Sequence, residues 1–139
     1  MISTARNEWS GDLMSGSGTT TLASGVASFA VNWKARSEGA EATTTPEELL
    51  AAAHASCFSM ALSHGLAEAG TPPRDVTTDV RVTFIPGEGI TAIEIAVTAS
   101  VPGIAQDAFT AAATDAKANC PVSAALRAVP ISLVEAKLV

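Results

Sequence analysis

Between Leu49 and Ala67 the chain carries no Asp, Glu, Lys or Arg, so the fold must either cover a long uncharged helix or place it in a membrane. The segment opens with Thr45-Pro46-Glu47-Glu48: Thr45 caps, Pro46 suits the first helical position, and Glu48 completes a capping box. Gly70, Pro72 and Pro73 follow, which predicts a helix from Pro46 to about Ala69. Its length would span a bilayer, but the run is mostly Ala and Ser with His54, His64 and Gly65 inside it. That composition is too dilute for a membrane span, and the segment is read as a helix buried in protein.

The remaining pattern is mixed. Phe29, Val31 and Trp33 recur at every second residue, predicting a strand through Lys34, and Gly16-Ser17-Gly18 and Ser24-Gly25 read as turns. From Asp79, the positions Val80, Val82 and Phe84, then Ile93, Ile95, Val97 and Val101, flank Pro86-Gly87-Glu88-Gly89 as a hairpin. Ala105, Ala108, Phe109, Ala112 and Ala116 give a second helix fraying near Asn119, with Cys120 just beyond it. Pro121 opens a short helix through Leu126, and Ile131 to Leu138 closes the chain as a strand. The 139 residues suit one domain, residues 1–139, of α+β class, with antiparallel sheet against a long central helix.

Fourteen acidic residues against eight basic ones leave no cationic surface for phosphates, so no nucleic acid and no anionic membrane is expected as a partner. No Lys-Ser/Thr pair follows Gly16-Ser17-Gly18, which excludes a phosphate-cradling loop. Met1 to Arg6 lacks the pattern of a secretory signal, and a cytoplasmic location is expected. In a reducing compartment, two cysteines far apart in sequence mean packing, metal binding or redox chemistry.

Cys57 lies about three turns into the first helix, beyond reach of the favourable end of its dipole. In apolar surroundings a thiol is a poor nucleophile, so a reactive Cys57 needs a cation beside it, and arginine offers a planar fork that stays charged. A metal site is disfavoured: His54 and His64 are separated by about 15 Å of helical rise and cannot converge with Cys57 on one ion. Without further information a packing cysteine would be the simpler reading.

The segment from Thr44 to Leu62, TTPEELLAAAHASCFSMAL, resembles the core of the OsmC/Ohr proteins, the osmotically induced and organic hydroperoxide resistance peroxidases. Ala116 to Leu126, AKANCPVSAAL, is similar to that family's second signature. Trp9-Ser10-Gly11-Asp12-Leu13, His54 and Cys120-Pro121-Val122-Ser123 resemble the OsmC branch.

The resemblance implies an OsmC-like fold in an intertwined homodimer, with Cys57 as the attacking thiol and Cys120 as the resolving one. It also implies Arg36 as the activating cation and Glu47 as the carboxylate that holds it. The implied activity is reduction of organic hydroperoxides in oxidative or osmotic stress, with no bound cofactor and with a dithiol or lipoylated protein as external reductant. A peroxide-sensing switch without turnover is the alternative. Arg36, taken as a strand residue, is out of phase with Phe29, Val31 and Trp33. Glu47 and Cys57 are separated by about 15 Å on a continuous helix, so the carboxylate is expected from another subunit. Leu50, Phe58 and Met60 are candidates for an apolar peroxide pocket.

Overall fold

The fold is that of a computed structural model describing residues 1–139. It divides into two compact units, Met1–Leu49 and Leu50–Val139.

In the first unit, β1 (Ala5–Ser10), β2 (Ser17–Leu22) and β3 (Ser28–Asn32) form an antiparallel sheet in that order. The β1–β2 turn is built on Asp12, whose carboxylate accepts from the Met14 and Ser15 amides and the Ser15 hydroxyl. Gly16 closes it by donating to the Asp12 carbonyl at 2.8 Å. A Cβ at Gly16 would lie 2.2 Å from that carbonyl oxygen, which is why only glycine fits.

The strand expected through Lys34 ends at Asn32, and α1 (Trp33–Glu38) replaces it. Asn32 stays extended and its side chain accepts from the Ala35 amide at 2.7 Å. That cap starts a helix where alternation alone predicts more strand. Gly39, at φ 80°, stops it. Arg36 is therefore a helix residue, and the strand-phase objection to its direction lapses.

α2 (Pro46–Glu68) has the expected bounds almost to the residue. The Glu48 amide donates to Thr45 Oγ1 at 3.0 Å, as a cap requires. The Glu48 carboxylate takes the Thr44 hydroxyl. By length and composition α2 could cross a membrane, but its Phe58, Leu62 and Leu66 are buried in protein.

They are buried in the second unit, against a sheet ordered β4 (Asp75–Ile85), β5 (Gly89–Ser100), β6 (Ile131–Leu138). β4 starts four residues before the expected Asp79 because Val76, Thr77 and Thr78 also pair. β5 lies in the middle, and its Ile93, Ile95, Val97 and Ala99 alternate into the core. α3 (Gln106–Asn119) adds Phe109, Ala113 and Ala116. The expected antiparallel arrangement holds for β4–β5, but β6 runs parallel to β5. The helical connection between them permits this, as a short turn would not. Gln106 fastens β6 from α3, donating to the Ala136 carbonyl at 2.8 Å and accepting from the Leu138 amide at 3.0 Å.

α4 (Pro121–Ala125) follows α3 after the single residue Cys120. It meets α2 through a buried polar contact, His54 Nε2 to Ser123 Oγ at 2.7 Å. Burial lowers the His54 pKa below 6.5, so the folded chain keeps this imidazole neutral where the unfolded chain takes up a proton.

Two consequences are testable. Phe58→Ala, at a fully buried position in the core, is expected to lose about 3–5 kcal/mol of stability in urea unfolding. Wild-type stability is expected to decline as pH falls from about 6.5 towards 5, because the unfolded state binds the extra proton. His54→Gln should flatten that decline in urea midpoints measured across the same range.

Candidate active site

Two of the four predicted site residues meet in the first unit. Arg36 leaves α1 and Glu47 the first turn of α2, and their side chains form a two-pronged ion pair. Arg36 Nη2 donates to Glu47 Oε1 at 2.6 Å, and Nε donates to Oε1 and Oε2 at 3.0 and 3.2 Å. Glu47 is buried, whereas the Arg36 side chain keeps 31% exposure. A fork held this way cannot swing freely, and its remaining N–H groups keep a fixed direction. Trp33, one turn earlier on α1, sets its ring 6.0 Å from Arg36 Cζ and adds a cation–π contact.

The other two meet in the second unit. Cys57 is half-buried on α2 and Cys120 is fully buried between α3 and α4. Both are free thiols, close enough that each shifts the ionisation of the other. Local chain geometry places Cys120 there. It ends α3 in an extended conformation, φ −61° and ψ 123°, and its own amide still bonds to the Ala116 carbonyl. Pro121 takes the first position of α4. Cys120 is thus the N-cap residue of α4, next to its first turn, although its side chain makes no capping hydrogen bond.

These amides set the electrostatics. Burial pushes the Cys57 thiol up, the hydrogen bond it donates to Cys120 pushes it further, and the Val122 amide pulls back. Burial would also raise Cys120, but the bond from Cys57, the Ser123 amide and hydroxyl, and the Val122 amide together bring it down. The two thiols influence each other's titration, and these groups favour the negative charge on Cys120. Cys57 therefore needs an added positive charge before it becomes the better nucleophile.

Sequence reasoning missed Ser123 and Val122 as parts of this site. Part of the signal was present: a cysteine before Pro121 at the first helical position is an N-cap residue and lies beside the first turn of the helix that follows. The His54 contact with Ser123 was not legible, since it joins residues 69 apart.

The remaining candidates separate. Phe58 is fully buried in the core and is corrected as a pocket residue; Leu50 is half-buried, and Met60 is 72% exposed. His64 is exposed, with Nε2 3.7 Å from Glu68 Oε1. No three His, Cys, Asp or Glu side chains cluster closely enough to hold a metal ion.

A family pattern described as OsmC-like protein matches residues 36–134. The peroxiredoxins OsmC of Escherichia coli (strain K12) and Shigella flexneri are each 45% identical to the chain over 124 residues, 86% of both lengths. Among solved structures, an organic hydroperoxide resistance protein OsmC from Legionella pneumophila superposes with a TM-score of 0.71 at 24% identity, covering 98% of this chain and 97% of its own. An OsmC-like protein of unknown function from Vibrio cholerae gives 0.75 at 14% identity, covering 100% and 99%. At these identities the structures establish the fold. With the family pattern running from Arg36 to Val134 and nearly half of the aligned residues shared with the peroxiredoxins OsmC, the chain belongs to the OsmC family.

Proposed function

We propose that the protein is a thiol-dependent peroxidase that reduces organic hydroperoxides to alcohols in stress defence, acting in the cytoplasm. The observation that carries this reading is the proximity of the Cys57 and Cys120 thiols, each of which shifts the ionisation of the other, as a pair meant to join once one is oxidised must be placed. The names of the similar proteins, peroxiredoxin OsmC and organic hydroperoxide resistance protein, support it.

The Cys57 thiolate attacks the peroxide oxygen distal to the alkyl group; the O–O bond breaks and the alkoxide leaves with a proton as alcohol. Cys57 becomes a sulfenic acid. Cys120 attacks that sulfur, a disulfide forms and water leaves. An external dithiol, small or carried as lipoyl on a protein, then restores both thiols by exchange. No bound cofactor takes part. Of the two sulfurs, Cys57 takes the first role because it is half-buried and so open to a substrate, whereas Cys120 is fully enclosed.

Arg36, held by Glu47, supplies the cation that ionises Cys57 and orients the peroxide. We place that pair opposite the Cys57 of a second copy. An uninterrupted helix separates residues ten apart by about 15 Å, too far for an arginine anchored on Glu47 to serve comfortably within one chain. The Met1–Leu49 unit has three buried residues, Gly16, Ala35 and Glu47, and β1 is exposed along its whole length. A three-stranded sheet with so small a core needs a partner surface. Ala52, Ala53, Ser56 and Met60 leave an exposed face on α2 as well.

Wild-type protein with dithiothreitol should consume cumene hydroperoxide rapidly, and Cys57→Ser should show no turnover. Cys120→Ser should react once and then stall as a trappable sulfenic acid. Arg36→Ala should lose about a hundredfold or more in rate while keeping its circular dichroism spectrum; unchanged turnover would remove Arg36 from the mechanism. Equal mixing of refolded Cys57→Ser and Arg36→Ala chains should recover about a quarter of wild-type activity, since half the dimers then hold one complete site of two. No recovery would place arginine and cysteine on the same chain.

A further inference from the structure

Beyond the two thiols and the ion pair, the second unit contains a buried polar chain with no part in the core: His54 on α2, Ser123 on α4, and Cys120. His54 is 0% exposed and Ser123 6% exposed. Nε2 of His54 and Oγ of Ser123 are 2.7 Å apart, and Ser123 lies three residues beyond Cys120 in the first turn of α4, where its hydroxyl helps pull the Cys120 thiol down. The other ring nitrogen, Nδ1, is buried with no hydrogen-bond partner.

That orphaned nitrogen fixes the direction of the chain. A serine hydroxyl has one hydrogen, which can go to His54 or to Cys120 but not to both. Were Nδ1 protonated, a buried N–H would have no acceptor, which folded proteins rarely tolerate, and Nε2 would claim the Ser123 hydrogen. With the hydrogen on Nε2, Nδ1 is a bare lone pair, and Nε2 donates to Ser123 Oγ. The hydroxyl hydrogen is then free for sulfur.

We propose that His54 and Ser123 are positioning residues for the resolving thiol: Nε2–H of His54 donates to Ser123 Oγ, which directs the one hydroxyl hydrogen of Ser123 at Cys120 and keeps that sulfur ready to attack. The proposal rests on the reading of Cys57 as the residue that meets peroxide. It matters most after that first step. Reduced Cys57 helps to lower the Cys120 thiol, but its S–H is gone once it is a sulfenic acid. The donors on α4 must then hold the charge. The Cys120 thiolate attacks the Cys57 sulfur, the S–S bond forms and the S–O bond breaks. Hydroxide leaves and is protonated to water, so Cys120 is oxidised and Cys57 reduced with no further reagent. Burial lowers the His54 pKa, which keeps the imidazole neutral and the donor chain intact.

Few other groups can titrate here. Cys57 faces Cys120 from α2, α4 carries no charged residue, and Lys117 of α3 reaches the Ile131 carbonyl at 3.4 Å.

The test has two arms, each with far-ultraviolet circular dichroism as a folding control. In the first, Cys57→Ser leaves Cys120 as the sole thiol, and its ionisation is followed by thiolate absorbance against pH. Adding Ser123→Ala or His54→Leu should raise the midpoint by about one pH unit. His54→Gln, whose amide can still donate to Ser123, should leave it near the parent value. In the second, single-turnover mixing of the two-cysteine protein with cumene hydroperoxide separates Cys57 oxidation from disulfide formation. Ser123→Ala and His54→Leu should leave the first step within about twofold and slow the second by about tenfold, with its pH profile displaced to the alkaline side. An unmoved midpoint with unchanged disulfide formation in both variants overturns the proposal. So does a midpoint raised by the same amount in His54→Gln as in His54→Leu. If wild-type Cys57 does not react with peroxide, the peroxidase reading fails instead, and the titration arm still decides whether His54 and Ser123 control Cys120.

Discussion

The chemistry proposed for this protein depends on one juxtaposition, that of two thiols brought together from helices far apart in sequence. A resolving cysteine works only if its sulfur lies within bonding reach when the attacking one is oxidised. Here that reach is built in by backbone means. Cys120 leaves α3 in an extended conformation, Pro121 starts α4 at once, and the Ser123 side chain meets His54 on α2 at 2.7 Å. The apolar packing of Phe58, Leu62 and Leu66 against Phe109, Ala113 and Ala116 holds α2 and α3 together around that contact.

Much of the fold was legible in the sequence because the relevant forces are local. A capping residue, a proline at the first helical position and a terminal glycine specify α2 without reference to anything distant, and the same holds for the hairpin around Gly87. Where the outcome turned on a competition between local signals, the reading failed. Phe29, Val31 and Trp33 alternate as a strand should, but the Asn32 side chain captures the Ala35 amide and turns the chain into α1. Where the outcome depended on tertiary pairing, alternation was silent: nothing within Ile131–Leu138 says whether the strand runs with β5 or against it.

The site divides along the same line. Glu47 at a helix start and Cys120 before a proline are positions with a local physical reason, and both are where the sequence put them. The pairing of Arg36 with Glu47 spans eleven residues and a change of element, and that of His54 with Ser123 spans sixty-nine. Neither follows from periodicity. The resemblance to the OsmC family supplied the first pair, and only coordinates supplied the second.

The electrostatics explain why a two-cysteine site of this kind needs an arginine as well. Two thiols in contact share one negative charge more readily than they carry two, and the charge settles on the sulfur with the better donors. On this chain those donors are the Val122 and Ser123 amides and the Ser123 hydroxyl, and they favour Cys120. A preference for charge on the enclosed sulfur leaves the open sulfur the weaker nucleophile. In the proposed mechanism a guanidinium brought near Cys57 reverses the preference, drawing the charge to the sulfur that a substrate can reach. Once Cys57 is oxidised it no longer competes for that charge, and the donors around Cys120 hold the ionised form that closes the disulfide. In the proposed cycle the order of events thus follows from which sulfur has the stronger donors at each stage, with a neutral imidazole behind the second stage and a cation behind the first.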